Sequence, residues 1–533
     1  MSGHDRQTHE STVREAVFAL LRAFRLTTIF GNPGSTELPM FRDFPADFRY
    51  VLALQESIAV GMADGFAQGT RNAALVSLHS AVGVGHALGN IFTAYRNQTP
   101  LVIVAGQQAR SMLPYEPFLY SERAAEFPQP YVKWAVEPAR AADVPAAIAR
   151  AYHVAMQAPR GPTLVSVPVD DWQQHCAAPA PRVVSERVGG EPAALDDIAV
   201  ALAGAARPVF VAGAGVARDD AWDEIIALAE LHDAPVWTAP MAGRNVFPGD
   251  HRLFAGYLPA DRARIVAALD GADFVLVLGA PAFTYHVEGD GPFVPAGAAL
   301  ALLTDNPAQA AWAPVGRAVV TDLKLGLRAL LDGPAPVARS RATARAGSPP
   351  AARAAPPAGR LTDAYLLQRI AALRPPGTVL VEEAPGTRGA MHRHLPILER
   401  DGFYTCASGG LGFALPAAAG IALARPRARI IALLGDGSSM YSIQALWSVA
   451  QLGLPIVFIV VNNGRYEALH QFKSHFDLPT LPGTELPGLD FVGLANAQGI
   501  DAVRVGDAAA LDAALGDGFS FSRPLLVEVL VGS

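Results

Sequence analysis

Short apolar runs that end in turn residues, each followed by a helical pattern, recur along almost the whole chain. TTIF (27–30) runs into the turn GNPGS (31–35), and YVLAL (50–54) precedes QESIAVGMADGFAQG. AALVSLHS (73–80) precedes a Gly/Ala-rich helical stretch, and PLVIVAG (100–106) comes next. Buried strands alternating with helices predict a parallel sheet covered by helices. After SERVGGEPAAL (185–195) the pattern restarts at PVFVAGAGVA (208–217) and continues through FVLVLGAP (274–281) and ALALLTDNP (299–307). It dissolves over residues 333–360, which carry six prolines, five arginines, no acid and no hydrophobic period. It returns in TVLVEEAPG, RIIALLGDG and PIVFIVVNNG. The expected fold is α/β, with three doubly wound parallel-sheet domains over residues 1–185, 190–332 and 361–533. Residues 333–360 are expected to form a solvated linker.

Composition narrows the class. The 533 residues fit a prior of about 150 per domain. A chain that is 51% hydrophobic and 17% charged is far from disordered composition. No run approaches the roughly 18 apolar residues of a membrane span, and MSGHDRQTHESTVRE lacks the apolar core of a secretory signal. Cys176 and Cys406 are the two cysteines, which excludes a disulfide scaffold and fits a reducing, cytoplasmic setting. A net charge of −7 argues against nucleic acid as the partner.

Residues 429–464 carry the strongest chemical signal. IIALLGDGS is a buried strand running into Gly435-Asp436-Gly437-Ser438, and SIQALWSVAQLG (442–453) has Ile443, Leu446, Val449 and Ala450 on one helical face. PIVFIVV is the next strand and ends in Asn462-Asn463-Gly464. One βαβ unit thus puts polar residues at the carboxyl ends of neighbouring strands, the edge where open parallel sheets bind ligands. Glycines let backbone N–H groups approach phosphate oxygens. Asp436 offers a carboxylate oxygen and Asn463 an amide oxygen, a set that suits Mg2+ shared with phosphate and water. Either string alone reads as a tight turn. With 24 residues between them, the pair reads as a metal–diphosphate site.

GDG, 24 residues, then NN resembles the signature of thiamine-diphosphate-dependent enzymes. FGNPGSTELP (30–39), LALQESIAVGMADGFAQ (52–68), LHSAVGVGHALGN (78–90), GAPAFTYH (279–286) and SGGLGFALPAA (408–418) are similar, within that family, to the 2-oxo acid decarboxylases. The benzoylformate decarboxylases are the nearest branch, and the similarity covers essentially the whole chain outside the linker. It implies a pyrimidine-binding, a middle and a diphosphate-binding domain, with thiamine diphosphate and Mg2+ as cofactors. It implies that Asp436, Asn463 and the Arg465 carbonyl hold Mg2+, and that Gly437, Ser438 and Tyr466 line the cofactor site. It implies that Glu56 activates the aminopyrimidine, that the Gly409 carbonyl accepts from the 4′-amino group, and that Leu411 wedges the cofactor into a bent shape. Ser35 would bind the substrate carboxylate, and His79 and His286 would move protons, as imidazoles can at neutral pH. A homotetramer built as a dimer of dimers is implied, with the two ends of each cofactor held by different subunits.

Without the resemblance, plainer readings stand beside these. Glu56 reads as a first-turn acid favoured by the helix dipole, Ser35 as a helix cap, His79 as a core histidine, His286 as a loop residue and Leu411 as packing. His392 and His394 read as structural, their spacing being poor for a metal. Gly213-Ala214-Gly215 resembles the start of a dinucleotide fingerprint, but Arg218 stands at its sixth position, so an empty site is expected.

The segment EEAPGTRG (382–389) departs from the relatives. Pro385 and Gly386 stand where small hydroxyl residues are expected, which leaves the Gly386 N–H and the Thr387 hydroxyl to face the diphosphate. Arg388 and Thr405 replace a small polar and an aromatic pocket residue, while Leu119, Ala468 and Phe472 complete the pocket. An added guanidinium would favour a substrate with a second anionic or polar group. The expected activity is non-oxidative decarboxylation of a small-molecule, aryl 2-oxo acid to an aldehyde and CO2. Carboligation is the alternative, and a non-catalytic nucleotide- or cofactor-binding protein is the third reading.

Overall fold

The computed structural model describes residues 10–177, 179–338, 354–357, 359–520 and 522–532. Residues 339–353 and 358 of the expected linker lie outside them, as do residues 1–9. The first unit holds β1 (Glu10–Thr12), β2 (Thr28–Gly31), β3 (Arg49–Leu52), β4 (Ala74–Leu78), β5 (Leu101–Gln107), β6 (Trp134–Val136), β7 (Pro162–Pro168) and β8 (His175–Ala177). The second holds β9 (Pro208–Ala212), β10 (Val236–Thr238), β11 (Phe254–Tyr257), β12 (Phe274–Leu278), β13 (Ala299–Thr304) and β14 (Arg317–Val320). The third holds β15 (Val379–Glu383), β16 (Phe403–Thr405), β17 (Ile430–Gly435), β18 (Ile456–Asn462), β19 (Asp501–Val505) and β20 (Leu525–Leu530).

Three six-stranded sheets result, with orders β3-β2-β4-β5-β7-β6, β11-β10-β9-β12-β13-β14 and β16-β15-β17-β18-β20-β19. Neighbouring strands run parallel in all three. The central strands β4, β5, β7, β9 and β12 are buried along their whole length. That is why their sequences are unbroken apolar runs: helices cover both faces. β1 and β8 form a separate antiparallel pair.

Counted within each sheet, the first and third share the order 2-1-3-4-6-5, and the second runs 3-2-1-4-5-6. The order reverses between β2 and β4, between β9 and β12, and between β15 and β17. Such a reversal opens a crevice at the carboxyl ends of the two strands. Register decides which residues meet there. Gly31 pairs with Ser77, so the GNPGS turn and His79 emerge side by side. Glu383 pairs with Leu434, and Gly435 with Val461, so the turns after β15, β17 and β18 converge.

The first and third units share one apolar core. Its centre is the contact between the helices Glu56–Thr70 and Ala414–Ala424. Glycine makes that approach possible: a Cβ on Gly420 would stand 1.9 Å from the Met62 carbonyl oxygen, and one on Gly65 2.1 Å from that of Ala417. All three units meet at Asp401, which accepts from Arg71 and Arg244, while Arg71 also donates to the Ala217 carbonyl.

Candidate active site

The crevice of the first sheet gathers an acid, an imidazole and two hydroxyls. The turn after β2 folds back so that Glu37, only 2% exposed, accepts from the Gly34 N–H at 2.8 Å. The same oxygen lies 3.0 Å from His79 Nδ1, and Thr36 Oγ1 lies 3.0 Å from it too. A carboxylate partner makes Nδ1 the protonated nitrogen and leaves Nε2 as the free acceptor. Ser35 sits exposed on this turn, and a cavity of about 420 Å3 lined by Ala81, Ser121, Arg123 and Phe127 opens beside the His79 helix. Glu56 is the first residue of its helix, capped by Gln55, and its Oε2 lies 3.1 Å from His86 Nδ1.

The crevice of the third sheet is built around Asp436. Its Oδ1 accepts from the Gly437 N–H at 2.7 Å, and its Oδ2 accepts from Gly464 at 2.8 Å and Asn463 at 3.2 Å. Burial nevertheless raises its proton affinity above that of an ordinary carboxyl. Asn463 Oδ1 accepts from the Arg465 N–H, which brings the Arg465 turn against the same carboxylate. Ser438 is buried in this turn. Gly437 faces the Tyr466 ring so closely that a Cβ would stand 2.2 Å from it. Among the described residues no group of three His, Cys, Asp or Glu side chains forms a metal cage. A cation here would therefore depend on phosphate and carbonyl oxygens.

Gly409, at φ +73°, and Leu411 lie on the loop leading to the helix Ala414–Ala424. Glu383 fixes that loop: its carboxylate accepts from the N–H groups of Gly412, Phe413 and Ala414 at 2.6–2.7 Å. Burial pushes its pKa up to about 7. Gly386 lies against the helix Glu467–Lys473, its carbonyl accepting from Gln471.

The Thr387 hydroxyl is buried and bonds Asp363. Arg388 does not offer a free guanidinium: Nε and Nη2 both lie within 3.0 Å of Glu382 Oε2, and Nη2 also donates to Thr405 Oγ1. Glu382 is fully buried, so the charge of Arg388 is already met. Leu119 lies on the loop after β5, and Ala468 and Phe472 lie on the helix Glu467–Lys473. The Phe472 ring packs edge-on to His286 at 4.7 Å, which joins the second unit to the third. His392 stacks on Tyr257, and His394 bonds Gln368, so these two imidazoles part company.

Within one chain, no hydrogen bond or ion pair among the described residues links Ser35, Glu56 or His79 to Asp436 or Asn463. The crevice of the second sheet is filled by backbone: a Cβ on Gly215 would stand 2.6 Å from Gly279 Cα. Sequence reasoning missed Glu37, Glu382, Glu383 and His86. The one signal available, and for Glu382 and Glu383 alone, was an acid at the end of an otherwise apolar strand.

The chain matches three family domains in order: thiamine pyrophosphate enzyme N-terminal TPP binding domain over residues 11–127, central domain over 195–330, and C-terminal TPP binding domain over 386–529. It is 43% identical over 522 residues to a benzoylformate decarboxylase of Pseudomonas aeruginosa, covering 97% of this chain and 98% of that one. The crystal structure of benzoylformate decarboxylase from Polynucleobacter necessarius superposes with a TM-score of 0.94 at 40% identity, covering 98% of both chains. The thiamine diphosphate-dependent 4-hydroxybenzoylformate decarboxylase of Rhodococcus jostii RHA1 gives 0.94 at 39% identity, covering 98% of this chain and 99% of that one.

Proposed function

The chain belongs to the thiamine pyrophosphate enzymes and is a decarboxylase of 2-oxo acids; on that premise we propose that its substrate is an aryl 2-oxo acid of the benzoylformate class, released as the aldehyde and CO2. When bound, thiamine diphosphate supplies the electron sink that lets the carboxylate leave as CO2. Asp436, Asn463 and the Arg465 carbonyl hold Mg2+ in this reading, and Gly386, Gly437, Ser438 and Tyr466 lie along the diphosphate. The donor set fits. Asp436 is a buried carboxyl of raised proton affinity with no basic partner among the described residues, and a divalent cation satisfies it better than a proton. Glu56, the Gly409 carbonyl and Leu411 take the aminopyrimidine end.

The observation that carries the reading is the Glu37–His79 pair. Glu37 fixes the tautomer and direction of the ring, so Nε2 is free to give or take a proton at the reacting carbon. Ser35, exposed on the same turn, would bind the substrate carboxylate. His286 serves the second proton, and Phe472 beside it supplies an apolar wall for an aryl group. Two positioned imidazoles favour proton delivery and aldehyde release over carboligation. With Arg388 paired to Glu382, a second carboxylate on the substrate finds no free cation there.

We place the two ends of each cofactor on different subunits of a homotetramer built as a dimer of dimers. Leu54, Val82, Tyr115, Phe118 and Tyr441 are exposed apolar side chains, and a second copy would cover them. No helix among the described residues is long and apolar enough to cross a membrane. The two unpaired, buried cysteines support a reducing, cytoplasmic setting.

The test is aldehyde release by purified protein with thiamine diphosphate and Mg2+ across benzoylformates, phenylpyruvate, branched 2-oxo acids, pyruvate and 2-oxoglutarate. Benzoylformates are expected to be turned over best, with activity lost when cofactor or metal is left out. Consumption of 2-oxo acid with a hydroxyketone as product would make the chain a carboligase instead.

A further inference from the structure

One face of the helix Ser80–Asn97 grips the start of the helix Glu56–Thr70. Gly83, His86 and Asn90 are spaced three and four residues apart, which aligns them on that face. Asn90 Nδ2 donates to the Ser57 carbonyl at 2.7 Å, and Gln55 Nε2 donates to the His86 carbonyl at 3.4 Å. The Glu56 carboxylate lies between these contacts. Its Oε2 is 3.1 Å from His86 Nδ1, and its Oε1 is 3.3 Å from where a Cβ on Gly83 would stand. Gly83 therefore gives the carboxylate room, and His86 gives it a hydrogen bond. The carboxylate is 13% exposed and the imidazole 56% exposed.

We propose that His86 is a positioning residue for cofactor activation: it donates Nδ1–H to Glu56 Oε2 and so leaves Oε1 directed at the aminopyrimidine. The inference rests on the reading of Glu56 as the carboxylate that meets the cofactor. A glutamate side chain free to rotate presents its oxygens in many directions, whereas one pinned oxygen gives the other a single direction.

The test compares the parent with His86→Ala and His86→Asn, each with thiamine diphosphate and Mg2+. Asn keeps a neutral N–H donor near Nδ1. His86→Ala is expected to lower kcat about tenfold or more while KM for the 2-oxo acid stays within about twofold. The near-ultraviolet circular dichroism of the bound aminopyrimidine should change with it. His86→Asn should recover most of kcat. Cofactor-free melting of both variants should match the parent. An active parent whose His86→Ala variant keeps its kcat and dichroism overturns this inference alone. So does a loss in kcat that tracks a lowered melting temperature and is not restored by Asn. A parent that turns over no 2-oxo acid overturns the reading of the site, and this inference with it.

Discussion

At the end of β9 the chain reads Gly213-Ala214-Gly215, and at the end of β17 it reads Gly435-Asp436-Gly437. Both turns lie where the order of their sheet reverses. In the second sheet the space beside the glycines is taken by backbone, with Gly279 and Ala280 at 2.4–2.7 Å from the missing Cβ atoms. Arg218 pairs with Asp305 there, while Asp219 accepts from the Leu323 N–H and burial beside Asp305 pushes its pKa up to about 7. In the third sheet the neighbour of Gly437 is the Tyr466 ring, a side chain that can turn, and Asp436 has backbone donors but no basic partner among the described residues. A Gly-x-Gly turn after a strand thus reports a close approach in both places. The residue between the glycines, and whether its charge is met, decides if the approaching group is another strand or a ligand.

The largest expected effects fall on the third sheet and on Glu56. Asp436→Ala should reduce kcat/KM by at least about a hundredfold and weaken cofactor binding, since metal-site partners carry effects of that size. Glu56→Gln should cost about a hundredfold to ten-thousandfold in kcat, the range for a lost acid–base group, while the cofactor still binds. Asp219→Asn, at the buried acid that follows the second-sheet turn, should leave both constants near those of the parent. If Asp219→Asn cut cofactor affinity as Asp436→Ala does, the contrast between the two crevices would be broken.

Arg388→Ala comes next in size. It leaves Glu382 buried without its partner, a change that costs about 3–5 kcal/mol. Melting temperature should fall clearly, with the preference for benzoylformate over 2-oxoglutarate unchanged. A selective loss of activity toward the dicarboxylic substrate would show the guanidinium reaching the pocket after all.

The glycines give a smaller and sharper comparison. Gly215→Ala presses a methyl group on backbone that cannot rotate away, and overpacking of that kind costs about 1–3 kcal/mol. It should lower the melting temperature and spare cofactor affinity. Gly437→Ala presses on the Tyr466 ring, so its effect should appear in cofactor affinity first. Measured Kd and melting temperature that exchanged places would reverse the assignment.

The three α/β units were legible because buried parallel strands are unbroken apolar runs, and Asp436 with Asn463 stood out because two turns of one βαβ unit must meet. The partners of Arg388 were not legible. Glu382 and Glu383 are adjacent in β15, so their side chains point to opposite faces. One meets Arg388 and the other meets the N–H groups of residues 412–414. Nothing in the order of the residues says which faces which. Glu37 was hidden for a similar reason: its contact with His79 spans 42 residues and depends on the register of β2 against β4. His86 carried no signal of its own, being one of thirteen histidines on a helix rich in small residues.

The smallest expected effect lies at the seam between the two compared units. Tyr257 of β11 stacks on His392 at 3.7 Å, with the rings 4° from parallel. Burial pushes the His392 pKa down from 6.5 to about 4. The unfolded chain therefore binds a proton between these values while the folded chain does not, so His392 contributes stability that is present above pH 6.5 and is lost as pH falls toward 4. At about pH 5.5 the loss from this one group is about 1 kcal/mol. His392→Phe keeps a ring against Tyr257 and removes the titration. Its melting temperature should fall less steeply than the parent's across that window, with the two curves running together at neutral pH. Parallel curves throughout would mean that folding leaves the proton affinity of His392 unchanged. A parent that fell less steeply than the variant would mean that folding raises it; the stack would then be a cation–π contact, and the seam between the second and third units would tighten in acid rather than loosen.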